Sequence, residues 1–152
     1  MKASHRTAET ELSTAIDFPA SWAIFSVARS HRALAASKLA AVGLFPSQEL
    51  ILMQLWDEDG QSQKALGQTQ RFDHSTIAKS VRRLENAGLV RREKSHADGR
   101  VTLVFLTDDG RALQEPVLEI WAELERRTVE GLSADEKNQL VSLVAKILPH
   151  LE

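Results

Sequence analysis

Apolar residues recur at helical spacing along the first third of the chain. Over residues 20 to 42 this spacing predicts one long helix, and Gly43 is typical of the residue that follows a helix end. Residues 46 to 56 are apolar on too many sides for a single stripe, so we expect a helix with several buried faces. Residues 1 to 19 are polar, and we expect a lead-in or a partner-docking arm.

The middle of the chain predicts two closely spaced helices. A short helix over about 63 to 68 is capped by Ser62, and a second helix starts near Asp73 and ends at Gly88. The apolar stripe of the second helix consists of Ile77, Val81 and Leu84. Such a stripe anchors one face of a helix on a core and leaves the opposite face to a partner or to solvent.

The spacing of apolar residues then changes from helical to alternating. Two strand-like runs, 89 to 94 and 100 to 106, flank a segment that contains the turn signal Asp98-Gly99. We therefore predict a mainly α-helical protein with a small two-stranded wing, in which a winged helix-turn-helix is joined to a helical dimerisation region.

The last third of the chain returns to helical spacing. Thr107 is predicted to cap a helix with an apolar face over 113 to 124, in which Pro116 introduces a kink. Residues 133 to 136 form a capping box for a final helix, whose apolar residues lie between positions 140 and 148.

Composition narrows the class of protein. Hydrophobic residues make up 43% of the 152 residues and charged residues 26%, which is typical of a globular domain. No apolar run is long enough to span a membrane and the first residues do not resemble a signal peptide, so we expect a cytoplasmic protein with no membrane partner. The absence of cysteine and the scattered histidines predict no metal site and no cofactor.

The formal net charge of -2 conceals an uneven distribution. Residues 60 to 107 hold nine lysines and arginines and four acids, a net charge of +5, and the remainder of the chain has a net charge of -7. A basic segment between acidic ends indicates either a surface that binds a polyanion or a solvated face of mixed charge.

The predicted second helix and the hairpin carry residues suited to DNA. Short hydrogen-bonding side chains and cations can reach base edges and phosphates. The candidates on the helix are His74, Ser75, Thr76, Lys79, Arg82 and Arg83. In the hairpin they are Arg92 and Arg100, and Arg100 follows the turn, where a cation can enter the minor groove. We expect Asp98 to brace the wing.

At these positions the sequence resembles the MarR (multiple antibiotic resistance regulator) family of winged-helix transcription factors. The resemblance runs from Gln63 to Leu113, and it rests on the order and spacing of several motifs, none of which is specific alone. The motifs are Leu66, Asp73-His74-Ser75-Thr76-Ile77, Arg83-Leu84-Glu85-Asn86-Ala87-Gly88-Leu89-Val90, Arg91-Arg92, Asp98-Gly99-Arg100 and Leu106-Thr107-Asp108-Asp109-Gly110.

Two places depart from the family pattern. Gly99 stands where the family's wing has the first arginine of a pair, which removes one phosphate contact from the wing. Gln70 and Arg71 stand where an apolar residue and a glycine are usual, so the backbone of the turn between the two helices is less determined.

The resemblance implies a homodimer that binds an inverted-repeat operator in double-stranded DNA and acts as a repressor released by a small aromatic or phenolic ligand. Candidate residues for the ligand pocket are Trp22, Phe25, His31, Trp56 and Trp121. The implied division is an N-terminal arm and dimerisation helix (1–45), a winged helix-turn-helix lobe (46–107) and C-terminal dimerisation helices (108–152).

Other functions remain open from the residues. The chain could be an activator, a regulator without a small-molecule ligand, or a winged-helix module used for protein assembly, although such a module would not need cations on the outward face of the second helix. A small enzyme has no support, because the sequence contains no phosphate-binding glycine loop, Gly-x-Ser-x-Gly elbow or His-Glu-x-x-His motif.

Overall fold

The computed structural model describes residues 13–152, except for the side chain of Thr14. These residues form helices and three short strands. The helices are α1 (Ser13–Asp17), α2 (Pro19–Ala40), α3 (Gln48–Asp57), α4 (Gln63–Gln70), α5 (His74–Asn86), α6 (Asp108–Ala112), α7 (Gln114–Val129) and α8 (Ala134–Ile147). The strands are β1 (Gln61–Ser62), β2 (Val90–Lys94) and β3 (Thr102–Leu106). Residues 1–12 of the predicted arm lie outside the described residues.

The wing is an antiparallel sheet with the strand order β1-β3-β2. β2 and β3 form the predicted hairpin, so the expectation of a mainly helical fold with a small wing is confirmed. The predicted number of strands was too low, because β1 pairs Gln61 with Val104 and Ser62 with Leu103. Two residues are too few to show the alternation of apolar and polar positions that predicts a strand. β1 is therefore recognisable only from its pairing with β3.

The predicted first helix begins and ends earlier than expected, since α2 starts at Pro19 and stops at Ala40. Gly43 has a φ of +76°, which confirms it as the left-handed residue of the following turn. Ser47, the residue before α3, has a φ of +79°, a conformation that costs a residue with a Cβ atom about 1–2 kcal/mol. α3 is buried on several sides, as its broad apolar pattern predicts.

α4 and α5 form the predicted helix-turn-helix, and a side-chain cap starts each helix. Ser62 Oγ accepts from the backbone N–H of Ala65 at 3.1 Å, and Asp73 Oδ1 accepts from that of Thr76 at 2.7 Å. In the turn, Arg71 adopts the left-handed conformation with a φ of +56°. The glycine conformation of the family pattern is therefore kept although the glycine is absent.

One hydrophobic core joins the three regions that the sequence divided. Leu39 from α2, Ile51 from α3, Leu84 from α5 and Val117 from α7 all belong to the same buried cluster. The division at residues 45 and 107 stays a prediction.

The predicted helix after Thr107 is broken into α6 and α7 at Leu113. The cause is Pro116, which has no N–H to donate to the carbonyl of Ala112 and whose ring crowds that carbonyl. The break has a stronger effect than the kink expected from the sequence. It leaves α6 as a short helix attached to the winged lobe.

Three contacts fix α6 on that lobe. Trp56 Nε1 donates to the carbonyl oxygen of Gly110 at 3.0 Å, and Arg111 forms an ion pair with Asp59 at 2.8 Å. An added Cβ on Gly110 would lie 2.0 Å from the carbonyl oxygen of Leu89, so only glycine permits this close approach.

α8 begins with the predicted capping box and has no buried residue. Its apolar face is exposed and comprises Leu140, Val141, Leu143, Val144 and Ile147. None of the described helices is long and apolar enough to cross a membrane.

Candidate nucleic-acid interface

α5 separates an apolar face from a polar one. Ile77, Val81 and Leu84 are at most 1% exposed and belong to the core. The opposite face exposes six of the predicted DNA-contacting residues to solvent: His74, Ser75, Thr76, Lys79, Arg82 and Arg83. Core packing therefore fixes the helix and leaves its polar face available to a partner.

The first turn of α5 is held by Asp73. The backbone N–H of Thr76 donates to the Asp73 carboxylate and lowers the pKa of this group below its ordinary value. Asp73 therefore stays charged and bonded to the start of the helix, where His74, Ser75 and Thr76 are exposed to solvent.

Ion pairs divide the basic segment into two groups of cations. Three cations have acidic partners, which are Glu152 for Arg71, Glu93 for Arg91 and Glu85 for Arg92. The other six form no ion pair within the described part of the chain, and they are Lys64, Lys79, Arg82, Arg83, Lys94 and Arg100. No acidic side chain of residues 13–152 forms an ion pair with these six cations, so they are available to bind an external anion.

Arg92 lies on the inner face of the wing, since it is paired across the sheet with buried Val104. Its Nε donates to Glu85 Oε2 at 2.9 Å, and this bond lowers the pKa of the Glu85 carboxyl. The predicted DNA contact of Arg92 stays a prediction, and Glu85 competes for the guanidinium. Its neighbour Arg91 lies on the other face, 4.6 Å above the ring of Phe105.

The tip of the wing is a turn held by Asp98. Asp98 Oδ1 accepts from the backbone N–H of Arg100 at 3.0 Å, and the Asp98 carbonyl accepts from that of Val101 at 2.9 Å. The carboxylate thus bonds to the backbone of Arg100, whose guanidinium has no acidic partner among the described residues. These two bonds hold the backbone of the turn, and the role of Asp98 as a brace for the wing stays a prediction.

Arg100 and the start of α5 lie beside a cleft of about 260 Å³. Side chains from the wing, from α5 and from α4 line it, including Arg100, His74 and Lys64. Lys64 is not among the residues predicted from the sequence to contact DNA. Its signal was its place in the first turn of the first helix of the helix-turn-helix, two residues after the cap Ser62, because this helix crosses the DNA backbone in this motif.

The predicted pocket residues lie in three different environments. Trp56 and Trp121 pack against the core, and Trp22 and Phe25 form an aromatic pair on α2 with ring centroids 5.5 Å apart. His31 lines a cleft of about 300 Å³ between α2 and α7. The described residues hold no group of three or more acidic or histidine side chains that could bind a metal ion.

Comparison with known proteins shows the same fold and related sequences. The family model described as "MarR family" matches residues 44–102. The HTH-type transcriptional regulator TtmR of Methylorubrum extorquens (strain PA1) is 31% identical over 139 residues, which cover 90% of this chain and 69% of TtmR.

Two solved structures extend this similarity. A probable transcriptional regulator from Pseudomonas aeruginosa is 31% identical with a TM-score of 0.79, and the match covers 87% of this chain and 98% of that one. Reduced AbfR, solved bound to DNA, is 27% identical with a TM-score of 0.72, and the match covers 91% of this chain and 96% of AbfR. The similarity thus includes the helices outside the segment that the family model matches.

Proposed function

Because this chain belongs to the MarR family of winged-helix transcriptional regulators, we propose that it is a homodimeric repressor that binds an inverted-repeat operator in double-stranded DNA. The observation that carries the proposal is the exposed face of α5, where hydroxyls and unpaired cations lie opposite a buried apolar stripe. AbfR is bound to DNA in its solved structure, which supports the same class of partner for this chain.

The residues of α5 have two roles in this proposal. His74, Ser75 and Thr76 lie in the first turn, which enters the major groove in this motif, and they contact base edges or adjacent phosphates. The cations farther along the helix bind phosphates and set the position of the helix on the duplex. These cations are Lys79, Arg82 and Arg83. The wing brings Arg100 towards the minor groove, and Arg92 contributes only where a phosphate can displace Glu85.

Exposed apolar surface supports the homodimer. On α8, Leu143 is 56% exposed and Val141 is 63% exposed, and on α2 Val27 is 60% exposed. Apolar surface of this extent on helices at both ends of a chain is typical of a protein interface. We propose that residues 1–45 and 108–152 form the dimerisation region and that residues 46–107 form the DNA-binding lobe.

A small ligand is proposed to control the distance between the two DNA-binding lobes of the dimer. The cleft between α2 and α7 has the volume of the smallest ligand sites, about 300 Å³. His31 and Arg127 line it and could bind a carboxylate or phenolate, while Val27 and Leu34 provide an apolar wall. A ligand that binds one lobe spacing better than another shifts the population towards that spacing and so changes the affinity for DNA.

Selection of bound sequences from random duplex DNA by the purified protein tests the proposed function. We expect an inverted repeat whose half-sites are centred about one helical turn apart, roughly 10 base pairs. Recovery of no common sequence would contradict sequence-specific binding and would favour a protein-assembly role.

A second measurement tests release by ligand. A panel of benzoate and phenol derivatives is added to the complex of the protein with the selected duplex. We expect at least one to weaken binding, and substitution His31→Ala to reduce that response while leaving the affinity for DNA unchanged without ligand. A response that is identical in His31→Ala would remove this cleft from the mechanism.

A further inference from the structure

Arg71, in the turn between α4 and α5, forms an ion pair with Glu152, which follows α8 and the short 3₁₀ helix Leu148–His150. The two residues lie far apart in the sequence. Among residues 13–152 no other ion pair joins α8, or the residues that follow it, to the winged lobe. The pair therefore connects the proposed dimerisation region to the helix-turn-helix of the same chain.

The backbone of Arg71 makes an arginine unusual at this position. Its φ of +56° lies in the left-handed region, which glycine adopts freely and a residue with a Cβ atom rarely adopts. In the family pattern described above, this position is a glycine. An arginine here has a conformational cost, and its side chain provides an ion pair that a glycine could not form.

The turn that contains Arg71 is closely packed. An added Cβ on Gly67 would lie 3.2 Å from the carbonyl oxygen of Phe72 and 3.3 Å from the side chain of Ile77. The backbone N–H of Phe72 donates to the Gly67 carbonyl at 2.9 Å, and Asp73 then caps α5. These contacts join the end of α4, Arg71 and the start of α5.

α8 is held by ion pairs near both of its ends and is exposed between them. Near its start, Lys137 pairs with Glu125 of α7 at 2.6 Å, and the pair of Arg71 with Glu152 lies beyond its last turn. No residue of α8 is buried, and its apolar side chains are between 38% and 63% exposed. In the proposed dimer the partner covers this apolar surface, so contact with the partner fixes the position of α8.

We propose that the ion pair of Arg71 with Glu152 is a clasp that transmits the position of α8 in the dimer to the turn before the recognition helix α5. The inference rests on the proposed function, and it makes Arg71 and Glu152 positioning residues that act without contacting DNA. The closed clasp holds the two recognition helices nearer to the separation that the operator requires. It thereby raises the affinity for DNA and narrows the accepted spacing of half-sites, because less freedom is lost on binding.

Substitution Glu152→Gln tests the clasp on the duplex that the purified protein selects, because it opens the clasp and keeps every candidate DNA contact. At protein concentrations where sedimentation shows a dimer, we expect the affinity to fall about two- to fivefold per protomer, the effect of one exposed ion pair. One additional base pair between the half-sites should then weaken binding by the variant less than binding by the wild type.

The matched control is Glu58→Gln. It removes an exposed carboxylate of the winged lobe that forms no ion pair within residues 13–152. This variant should neither lower the affinity nor change the preferred spacing, since the clasp stays closed.

Two further variants separate the clasp from the charge and the stability of the turn. Arg71→Glu and Glu152→Arg each open the clasp, and the double variant re-forms it with reversed charges and should regain an affinity within about twofold of the wild type. Arg71→Gly opens the clasp and also removes the conformational cost, so its urea midpoint should not fall although its affinity for DNA does.

Two results would overturn the inference while the proposed function stands. One is an affinity of Glu152→Gln equal to or above that of the wild type, which would show that the carboxylate has no effect or only competes with DNA for Arg71. The other is a double charge-reversal variant that binds no more tightly than the single ones. Failure of the wild type to bind any duplex would instead overturn the proposed function.

Discussion

Glu85 of the recognition helix holds Arg92 of the adjoining wing strand by two hydrogen bonds. The backbone N–H of Arg92 donates to Glu85 Oε1 at 3.2 Å, and its Nε donates to Glu85 Oε2 at 2.9 Å. The bond to the backbone fixes the position of the strand. The bond to the side chain pairs the guanidinium of Arg92 with a carboxylate, so this cation is less available to an external anion than the unpaired ones. These two bonds therefore join the middle of β2 to α5.

Substitution Glu85→Gln is expected to lower the free energy of unfolding by at most about 1 kcal/mol, since the pair is partly exposed and solvent screens it. Urea denaturation at neutral pH measures this decrease. The matched control is Glu93→Gln, which removes the partner of Arg91 on the outer face of the wing and should cost less. Equal decreases for both variants would contradict a special role for Glu85.

The same pair predicts a dependence of stability on pH. Arg92 lowers the pKa of Glu85 in the folded protein below its ordinary value of 4.5, so the contribution of the pair is fully present above that pH. It is lost as the pH falls through the lowered pKa, when the carboxylate is protonated. Wild type and Glu85→Gln should therefore converge in stability once the pH falls below the lowered pKa of Glu85, and a difference that persists in acid while both proteins are still folded would contradict the prediction.

Lys79 and Arg83 are predicted to bind phosphates from the exposed face of α5. Substitution of either residue by alanine should reduce the slope of log K against log salt by about one for each bound protomer. The preferred DNA sequence should stay unchanged. Ser75→Ala, by contrast, should relax the preference at one base pair if Ser75 contacts a base edge. Titrations at several salt concentrations with matched and mismatched duplexes separate the two results.

The exposed apolar face of α8 predicts that Leu143→Glu breaks the dimer. Each of two symmetric copies loses about 1.5–3 kcal/mol of burial, so the dissociation constant of the dimer should rise roughly a hundredfold or more. Sedimentation equilibrium measures this constant. The control is Ser142→Glu, which adds the same charge at the neighbouring position on the polar side of α8 and should leave the constant unchanged. A similar rise for both variants would show that repulsion between the added charges, and not loss of the apolar contact, weakens the dimer.

Gly110 permits the close approach between α6 and Leu89. Gly110→Ala places a Cβ atom 2.0 Å from a backbone oxygen, and the displacement of α6 should lower the free energy of unfolding by about 1–3 kcal/mol or more. Gly99→Ala is the control, since an added Cβ there meets nothing within 4 Å. Chemical denaturation of the two variants compares the costs.

Local patterns predicted much of the winged lobe. The stripe of Ile77, Val81 and Leu84 identified α5 and its buried face, and the alternating residues identified β2 and β3. These features depend on neighbours within one element, where the spacing of apolar residues is sufficient evidence.

Contacts between distant residues were not predictable in the same way. β1 is a strand only because Gln61 lies opposite Val104, and Arg92 is bound only because a turn brings its strand back against Glu85. The place of Lys64 was unpredictable for the same reason, because the residues that line the cleft with it come from α5 and the wing. The sequence predicted a kink at Pro116, whereas the structure has a complete break between α6 and α7 at Leu113. Whether a proline kinks or breaks a helix depends on its three-dimensional surroundings.

In the proposed dimer, two recognition helices bind successive major grooves from one paired scaffold. The most direct test compares the affinity for the selected inverted repeat with that for the same repeat carrying an insertion of about half a helical turn, roughly five base pairs, between its half-sites. We expect the insertion to reduce the affinity to that for an unrelated duplex, because the second helix then faces the wrong side of the DNA. Equal affinity for both duplexes would contradict it.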